Sequence, residues 1–147
     1  MIGAEIRVAT RGDLPVIAWL DAQIFGSSAY SDEQWQSEIQ SDAVTIYLAI
    51  TDGSAVGFCS AARAGDDYEI HKIGVLTAHR RRGLANELLR LTESQISGGR
   101  CLIEVAAQNI SAVRFYAKAG FSEFARRKRY YANGDDAILM QKFLSVL

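Results

Sequence analysis

HRRRGLANELL, residues 79–89, sets a histidine and three arginines directly before a glycine and then passes into an apolar-periodic run. Leu84, Leu88, Leu91 and Gln95 fall at helical spacing, with Ala85, Leu89, Thr92 and Ile96 beside them. Residues 83–96 therefore read as an amphipathic helix that opens at Gly83. A helix start presents unpaired N–H groups and a partial positive charge, and the arginines ahead of it add full charges in the same place. That combination is suited to an anion. A solvated basic cap on an ordinary helix is the plainer reading of the arginines alone.

Working outward, the strand-like run YEIHKIGV (68–75) precedes this segment and CLIEVAA (101–107) follows it, which makes a strand-helix-strand crossover. Upstream, EIRVAT is a short alternating strand, residues 13–25 a helix with Pro15 near its start, and residues 31–39 a second helix capped by Ser31 or Asp32. VTIYLAI (44–50) and AVGFCSAARA (55–64) flank Asp52 and Gly53, a hairpin signal, and Gly65 with Asp66 marks the next turn. Downstream, SAVRFYAKAG is a helix closed by Gly120, and FSEFARRKRYY pairs with DAILMQKFL as a hairpin turning at Asn133 and Gly134. The predicted order is β-α-α-β-β-β-α-β-α-β-β, a mixed α/β sheet.

The chain has 147 residues, enough for one domain, and no internal repeat or linker divides it, so residues 1–147 are expected to form a single domain. With 49% hydrophobic residues and a formal net charge of -1, its bulk charge does not suggest nucleic acid. Cys59 and Cys101 lie in apolar runs without paired or metal-ligand spacing, which fits a reducing cytoplasm and no metal site. MIGAEIRVAT lacks the apolar core of an export signal, and no run approaches the ~20 apolar residues that span a bilayer, so neither export nor membrane association is expected.

RRRGLA, residues 80–85, fits the Q/R-x-x-G-x-G/A signature of the GNAT acyltransferases, placed between a fourth strand and its helix. EIHKIGV upstream, LIEVAAQNISAVRFYAKAGF downstream and then RRKRYY and DAILM give the motif specific company. From about residue 69 to 140 the chain resembles the bacterial branch of that family that acetylates the N-terminal alanine of a small-subunit ribosomal protein. The resemblance implies the GNAT fold, acetyl-CoA as cofactor with CoA as product, and a peptide or protein N-terminus as partner. It implies that the coenzyme pyrophosphate rests on backbone N–H groups of Arg81, Arg82, Gly83, Leu84, Ala85 and Asn86, with no side chain at Gly83 to obstruct it. Backbone groups of Ile73, Gly74 and Val75 would pair with the pantetheine arm as an added strand. Asn109 would offer its amide to the cofactor, or serve as a helix cap.

Acetyl transfer to an amine needs a neutral amine, help for the carbonyl oxygen and a proton for the departing thiolate. Tyr116, seven residues after Asn109, matches the tyrosine that serves the leaving sulfur in many family members, and would otherwise be a core aromatic. Two carboxylates compete as base. Glu104 interrupts the apolar strand CLIEVAA, where an unpaired charge is costly, and aligns with the base of the ribosomal-protein branch. Glu69 occupies the place where lysine-acetylating members keep theirs, and alternation sets it on one strand face with His71, Ile73 and Val75. His71 is open between a satisfied structural histidine and a site residue.

Tyr130 and Tyr131 repeat a pair that lines the peptide entrance in N-terminal acetyltransferases, and Arg126, Arg127, Lys128 and Arg129 before them would alternate between strand faces. The chain departs from the family pattern in a short turn after Tyr131 and in FGSSAYSDEQW, which offers Tyr30 and Trp35 to substrate where a proline-tryptophan approach is usual. The alternatives are a GNAT enzyme acting on lysine or a small amine, and a CoA-responsive or nucleic-acid-binding module using RRKRYY. Intact Glu104 and Tyr116 favour an enzyme, with no direct nucleic-acid partner.

Overall fold

The computed structural model describes residues 4–96 and 98–144, so the first three residues of the N-terminal stretch read above lie outside the described residues. Its elements are β1 (Glu5–Val8), α1 (Leu14–Phe25), α2 (Asp32–Gln40), β2 (Val44–Thr51), β3 (Ser54–Ala64), β4 (Asp67–Val75), α3 (Leu84–Glu93), β5 (Arg100–Ala106), α4 (Ile110–Lys118), β6 (Ser122–Arg127) and β7 (Ala137–Phe143), the order expected from sequence. The hydrogen-bonded strand order is β1-β2-β3-β4-β5-β7-β6. The chain clusters into two compact units: residues up to Ala62 with Lys72–Gln95, and Arg63–His71 with the residues from Ile96 onward. Strand β4 begins in the second and ends in the first.

In the first unit β1 and β3 flank β2 in antiparallel pairing. The β2–β3 turn has Asp52 and Gly53 at φ 52° and 79°, the paired left-handed geometry whose twist matches a hairpin. Ser31 caps α2 by accepting the Gln34 N–H at 3.1 Å, while Gln34 returns the favour by accepting the Ser31 N–H at 2.7 Å. Ile17, Leu20, Trp35, Ile46, Leu48 and Phe58 form the core of this unit, with the Trp35 and Phe58 rings edge to face at 5.5 Å. Leu84, Leu88, Leu89 and Thr92 are the buried stripe of α3. This helix ends at Glu93 rather than at residue 96, and Gly98 and Gly99, at φ 76° and 78°, do not continue a right-handed helix.

In the second unit β4 and β5 are parallel, as strands joined through a helix are, with Tyr68 opposite Cys101 and Ile70 opposite Ile103. Strand β7 lies between β5 and β6, antiparallel to both. Cys101, Ile103 and Val105 are buried along β5 while Glu104 is exposed, so alternation puts the glutamate on the open face of the strand. The expectation of a charge inside apolar surroundings is corrected by that parity.

The last hairpin also differs from its expected form. Strand β6 stops at Arg127, and residues 128–136 form a loop instead of two long strands meeting at Asn133 and Gly134. Arg129 is left-handed at φ 51°, with its N–H given to the Asp136 carboxylate at 3.0 Å. The buried Asp135 carboxylate accepts the N–H of Gln108 at 3.0 Å and of Asp136 at 2.9 Å. These carboxylates take backbone donors that a longer ladder would have used. No described helix is long and apolar enough to cross a membrane.

Candidate functional site

The glycine of the opening stretch is the N-cap of α3, left-handed at φ 78° and without a side chain to bond the first turn. The helical ladder starts with the Glu87 N–H donating to the Gly83 carbonyl at 3.0 Å, so the N–H groups of Leu84, Ala85 and Asn86 have no intrahelical acceptor. Arg81 is also left-handed, at φ 64°. Successive residues of mixed hand point their N–H groups into one concavity, an arrangement that receives anions. A Cβ built on Gly83 would meet nothing within 4 Å, so the space in front of these donors is open. Arg81, Arg82, Gly83 and Asn86 are exposed, Ala85 is half-buried, and Leu84 turns inward. Arg80 is committed elsewhere: its Nε donates to the Val75 carbonyl at 3.0 Å. Together these features fit the diphosphate of coenzyme A.

Of the strand residues expected to pair with the pantetheine arm, Ile73 and Gly74 are half-buried and Val75 is buried. Gly74 has a steric reason of its own. Its absent Cβ would stand 2.9 Å from Ile24 Cγ2 and 3.0 Å from Phe25 Cε2, where the end of α1 presses on β4.

The second unit holds the expected catalytic groups. Glu104 Oε2 accepts the Tyr131 hydroxyl at 3.5 Å, at the outer reach of a hydrogen bond, and Arg127 Nη1 lies 3.9 Å from Oε1. Burial first, and then the Glu104 charge, push the Tyr131 phenol up to about 12, so it stays protonated and acts as a donor. Tyr130 stacks edge to face on Tyr131 at 5.2 Å between centroids and receives the Arg127 guanidinium at 5.4 Å. Arg126 turns instead to Glu123 and Asp136, at 3.2 and 3.4 Å, so the basic run divides as its separate roles require. Glu69 is exposed and stands opposite Leu102 in the β4–β5 register, which places it on the same open face as Glu104. His71 is half-buried.

Tyr116 is buried at 5% exposure, its ring edge to face with Phe115 at 5.2 Å and Phe121 at 5.5 Å. Asn109 is the cap of α4: its Oδ1 accepts the Ala112 N–H at 3.2 Å, which leaves the amide nitrogen for another partner. Among the described residues no three His, Cys, Asp or Glu side chains gather as metal ligands.

Tyr30 and Trp35, expected on the substrate side, part company. Tyr30 is half-buried and borders an open groove of about 360 Å³ with Glu33, Gln34, Ser37 and Glu38. Trp35 is 1% exposed, its indole N–H given to Asp21 at 2.8 Å, so it is a core residue behind Tyr30 and not a substrate wall. The partner in that bond, Asp21, and the lysine it holds, Lys72, did not figure among the candidates from sequence. Asp21 had a signal, a lone charge in the apolar run LPVIAWLDAQIF, whereas Lys72 shares YEIHKIGV with Glu69 and His71 and does not stand out there.

Comparison with known proteins supplies the family. The model for the acetyltransferase (GNAT) domain matches residues 13–144. The N-alpha-acetyltransferase RimI of Mycobacterium tuberculosis is 33% identical over 143 residues, covering 93% of this chain and 90% of that protein. Among solved structures, the ribosomal-protein-S18-alanine N-acetyltransferase of Escherichia coli superposes with a TM-score of 0.87 at 24% identity over 98% of this chain and 96% of its own. Arabidopsis thaliana NAA60 in complex with acetyl-CoA superposes with a TM-score of 0.82 at 20% identity, covering 96% and 98%. The fold, the glycine-opened helix after β4 and a family match over most of the sequence make this chain a member of the GNAT acetyltransferases.

Proposed function

We propose that this chain transfers the acetyl group of acetyl-CoA to a protein N-terminal α-amine, and that its acceptor class is an alanine-starting N-terminus such as that of a small-subunit ribosomal protein. The observation that carries the reading is the Glu104–Tyr131 pair: a carboxylate on the open face of β5 with a tyrosine hydroxyl at 3.5 Å. The 33% identity to a RimI N-alpha-acetyltransferase supports an α-amine as the acceptor group.

Acetyl-CoA, when bound, supplies the acetyl group already activated as a thioester. The N–H groups at Gly83, Leu84, Ala85 and Asn86, with the Arg81 and Arg82 guanidiniums, bind its diphosphate, and the backbone of Ile73, Gly74 and Val75 aligns the arm. Asn109, already a cap, offers its amide nitrogen. The Glu104 carboxylate accepts the proton that the α-ammonium must lose before it becomes a nucleophile. Tyr131, held neutral, fixes that carboxylate, and Tyr130, stacked on it, lines the acceptor path; in the first unit Tyr30 is the candidate for acceptor contact. The Tyr116 hydroxyl, on a ring locked by Phe115 and Phe121, is the proton source on the leaving-group side. An α-amine, at a pKa of about 7.7 to 8.0, is partly neutral at physiological pH and asks little of its base, unlike a lysine at about 10.4.

Glu69 carries the second reading, transfer to a lysine or small amine, because it shares the open face with Glu104. Rates of Glu104→Gln and Glu69→Gln on an alanine-starting peptide separate the two. Glu104→Gln is expected to lose far more, with the loss shrinking as pH rises past about 8 and neutral amine forms unaided. A larger loss in Glu69→Gln, rescued only toward about pH 10 on a lysine substrate, would transfer the base to Glu69. Small and equal losses would remove both.

A further inference from the structure

Helix α1 is apolar on nearly every side, yet it carries a carboxylate that is fully buried: Asp21 is 0% exposed. Each of its oxygens is engaged. Oδ1 takes Lys72 Nζ at 2.6 Å, and Oδ2 accepts the Tyr30 N–H at 2.7 Å and the Trp35 indole N–H at 2.8 Å. Lys72 Nζ donates also to the Ser28 carbonyl at 2.8 Å and lies 4.2 Å from the centroid of the Tyr30 ring and 4.6 Å from that of Phe25.

Between them the two side chains hold the α1–α2 connection by the carbonyl of Ser28, the amide of Tyr30 and the ring of Tyr30. That connection has no ladder of its own. It leaves α1 through Gly26, at φ 56° and ψ −121°, passes one 3-10 turn, Gly26–Ser28, and enters α2 at its Ser31 cap. At its other end Lys72 belongs to β4, next to Ile73. A buried ion pair stabilises a fold no better than apolar side chains of similar volume, so stability alone gives little reason for two charges here. What the pair adds is direction: Lys72 on β4 bonds the Ser28 carbonyl and Asp21 on α1 accepts the Tyr30 N–H, so strand and helix together hold two backbone groups of a loop built on one 3-10 turn.

We infer that Asp21 and Lys72 are positioning residues for the acceptor. They fix Tyr30 and residues 26–30 against the β4 backbone that aligns the pantetheine arm, so the acceptor meets a preformed wall. The inference rests on the proposed N-terminal acceptor only for the choice of peptide. Ordering a loop and its side chain at the moment of binding costs affinity for the molecule that orders it, here the acceptor and not the coenzyme.

The test compares wild type with Lys72→Met, Lys72→Arg, Asp21→Asn and the Asp21→Asn/Lys72→Met double variant, using acetyl-CoA and an alanine-starting peptide. Lys72→Met and Asp21→Asn are expected to raise the peptide KM about three- to tenfold while kcat and the acetyl-CoA Kd stay within about twofold. The double variant is expected to be no worse than the poorer single, because the two side chains act as one unit, and Lys72→Arg to recover part of the loss. Hydrogen exchange of residues 26–30 is read in the same proteins and is expected to quicken in Lys72→Met even where its melting temperature holds. An unchanged peptide KM, or kcat and both affinities falling together with the folded fraction, would overturn the inference. Failure of the wild type to acetylate the peptide would count against the proposed function and is seen before any variant is compared. The exchange measurement then decides for the pair alone, and unchanged exchange at residues 26–30 would overturn it.

Discussion

Replacing Gly83 by alanine and by glutamate probes the proposed coenzyme site with two different forces. Gly83 sits at φ 78°, where an L-residue costs about 1–2 kcal/mol, and its Cβ would meet no atom within 4 Å, so no clash adds to that strain. For a chain of this length each kcal/mol lowers the melting temperature by about 2–4 °C, so both variants are expected to fold and to melt about 2–8 °C below wild type. A glutamate in a first helical turn is locally acceptable by charge alone, and it is the left-handed backbone that makes it costly here. Affinity then separates the pair. Alanine adds only a methyl group in front of the N–H donors, whereas a carboxylate about 4 Å from a diphosphate charge costs about 1–4 kcal/mol between water-like and surface dielectric values. That is about 5-fold to 10³-fold in Kd beyond the alanine effect. Titration calorimetry with acetyl-CoA at low and high salt reads it, and the added glutamate penalty is expected to shrink with salt while the alanine penalty does not. Acetyl-CoA affinities equal to wild type in both variants would refute the assignment of the loop.

Tyr116→Phe keeps the ring in its contacts with Phe115 and Phe121 and removes only the hydroxyl, so turnover is expected to fall about 10²- to 10⁴-fold with acetyl-CoA affinity unchanged, and wild-type turnover would return Tyr116 to a packing role. At the other end of the chain, hydrogen bonding and charge from Arg7, with two bonds at 2.8 Å, hold the Asp13 carboxyl well below the usual carboxylate range, and the Thr10 N–H adds to the effect. A depressed folded pKa contributes stability that is present above the unfolded value of about 3.9 and is lost as pH falls through the folded value. The melting-temperature gap between wild type and Asp13→Asn is therefore expected to be greatest above about pH 5 and to narrow on acidification below about pH 4, and a pH-independent gap would contradict the pairing.

Local signals made most of the fold legible. Strand alternation, the Asp52 and Gly53 turn, the Ser31 cap and the glycine at 83 each act within a few residues, and each element they imply is present. Non-local choices were not written locally. Nothing within FSEFARRKRYY says that β7 will lie between β5 and β6, or that Asp135 and Asp136 will draw the chain out of the ladder after Arg127. Glu104 shows a readable signal weighed the wrong way. Period-two alternation along CLIEVAA already put it opposite Cys101, Ile103 and Val105, on the open face. The burial of Trp35 depended on a bond to Asp21 across 14 residues of sequence and the Asp21–Lys72 pair on one across 51, which no pattern in these segments encodes beyond the oddity of Asp21 as a lone charge in α1.

The central claim, transfer to an α-amine, is tested most directly by where the acetyl group lands. The purified protein is incubated with acetyl-CoA and a peptide that starts with a free alanine and carries an internal lysine, at neutral pH, and the product is sequenced by tandem mass spectrometry. The acetyl group is expected on the alanine nitrogen, with an N-terminally blocked copy of the peptide left unmodified. Acetylation of the lysine in both peptides, or no transfer to either while acetyl-CoA binds, would contradict the account.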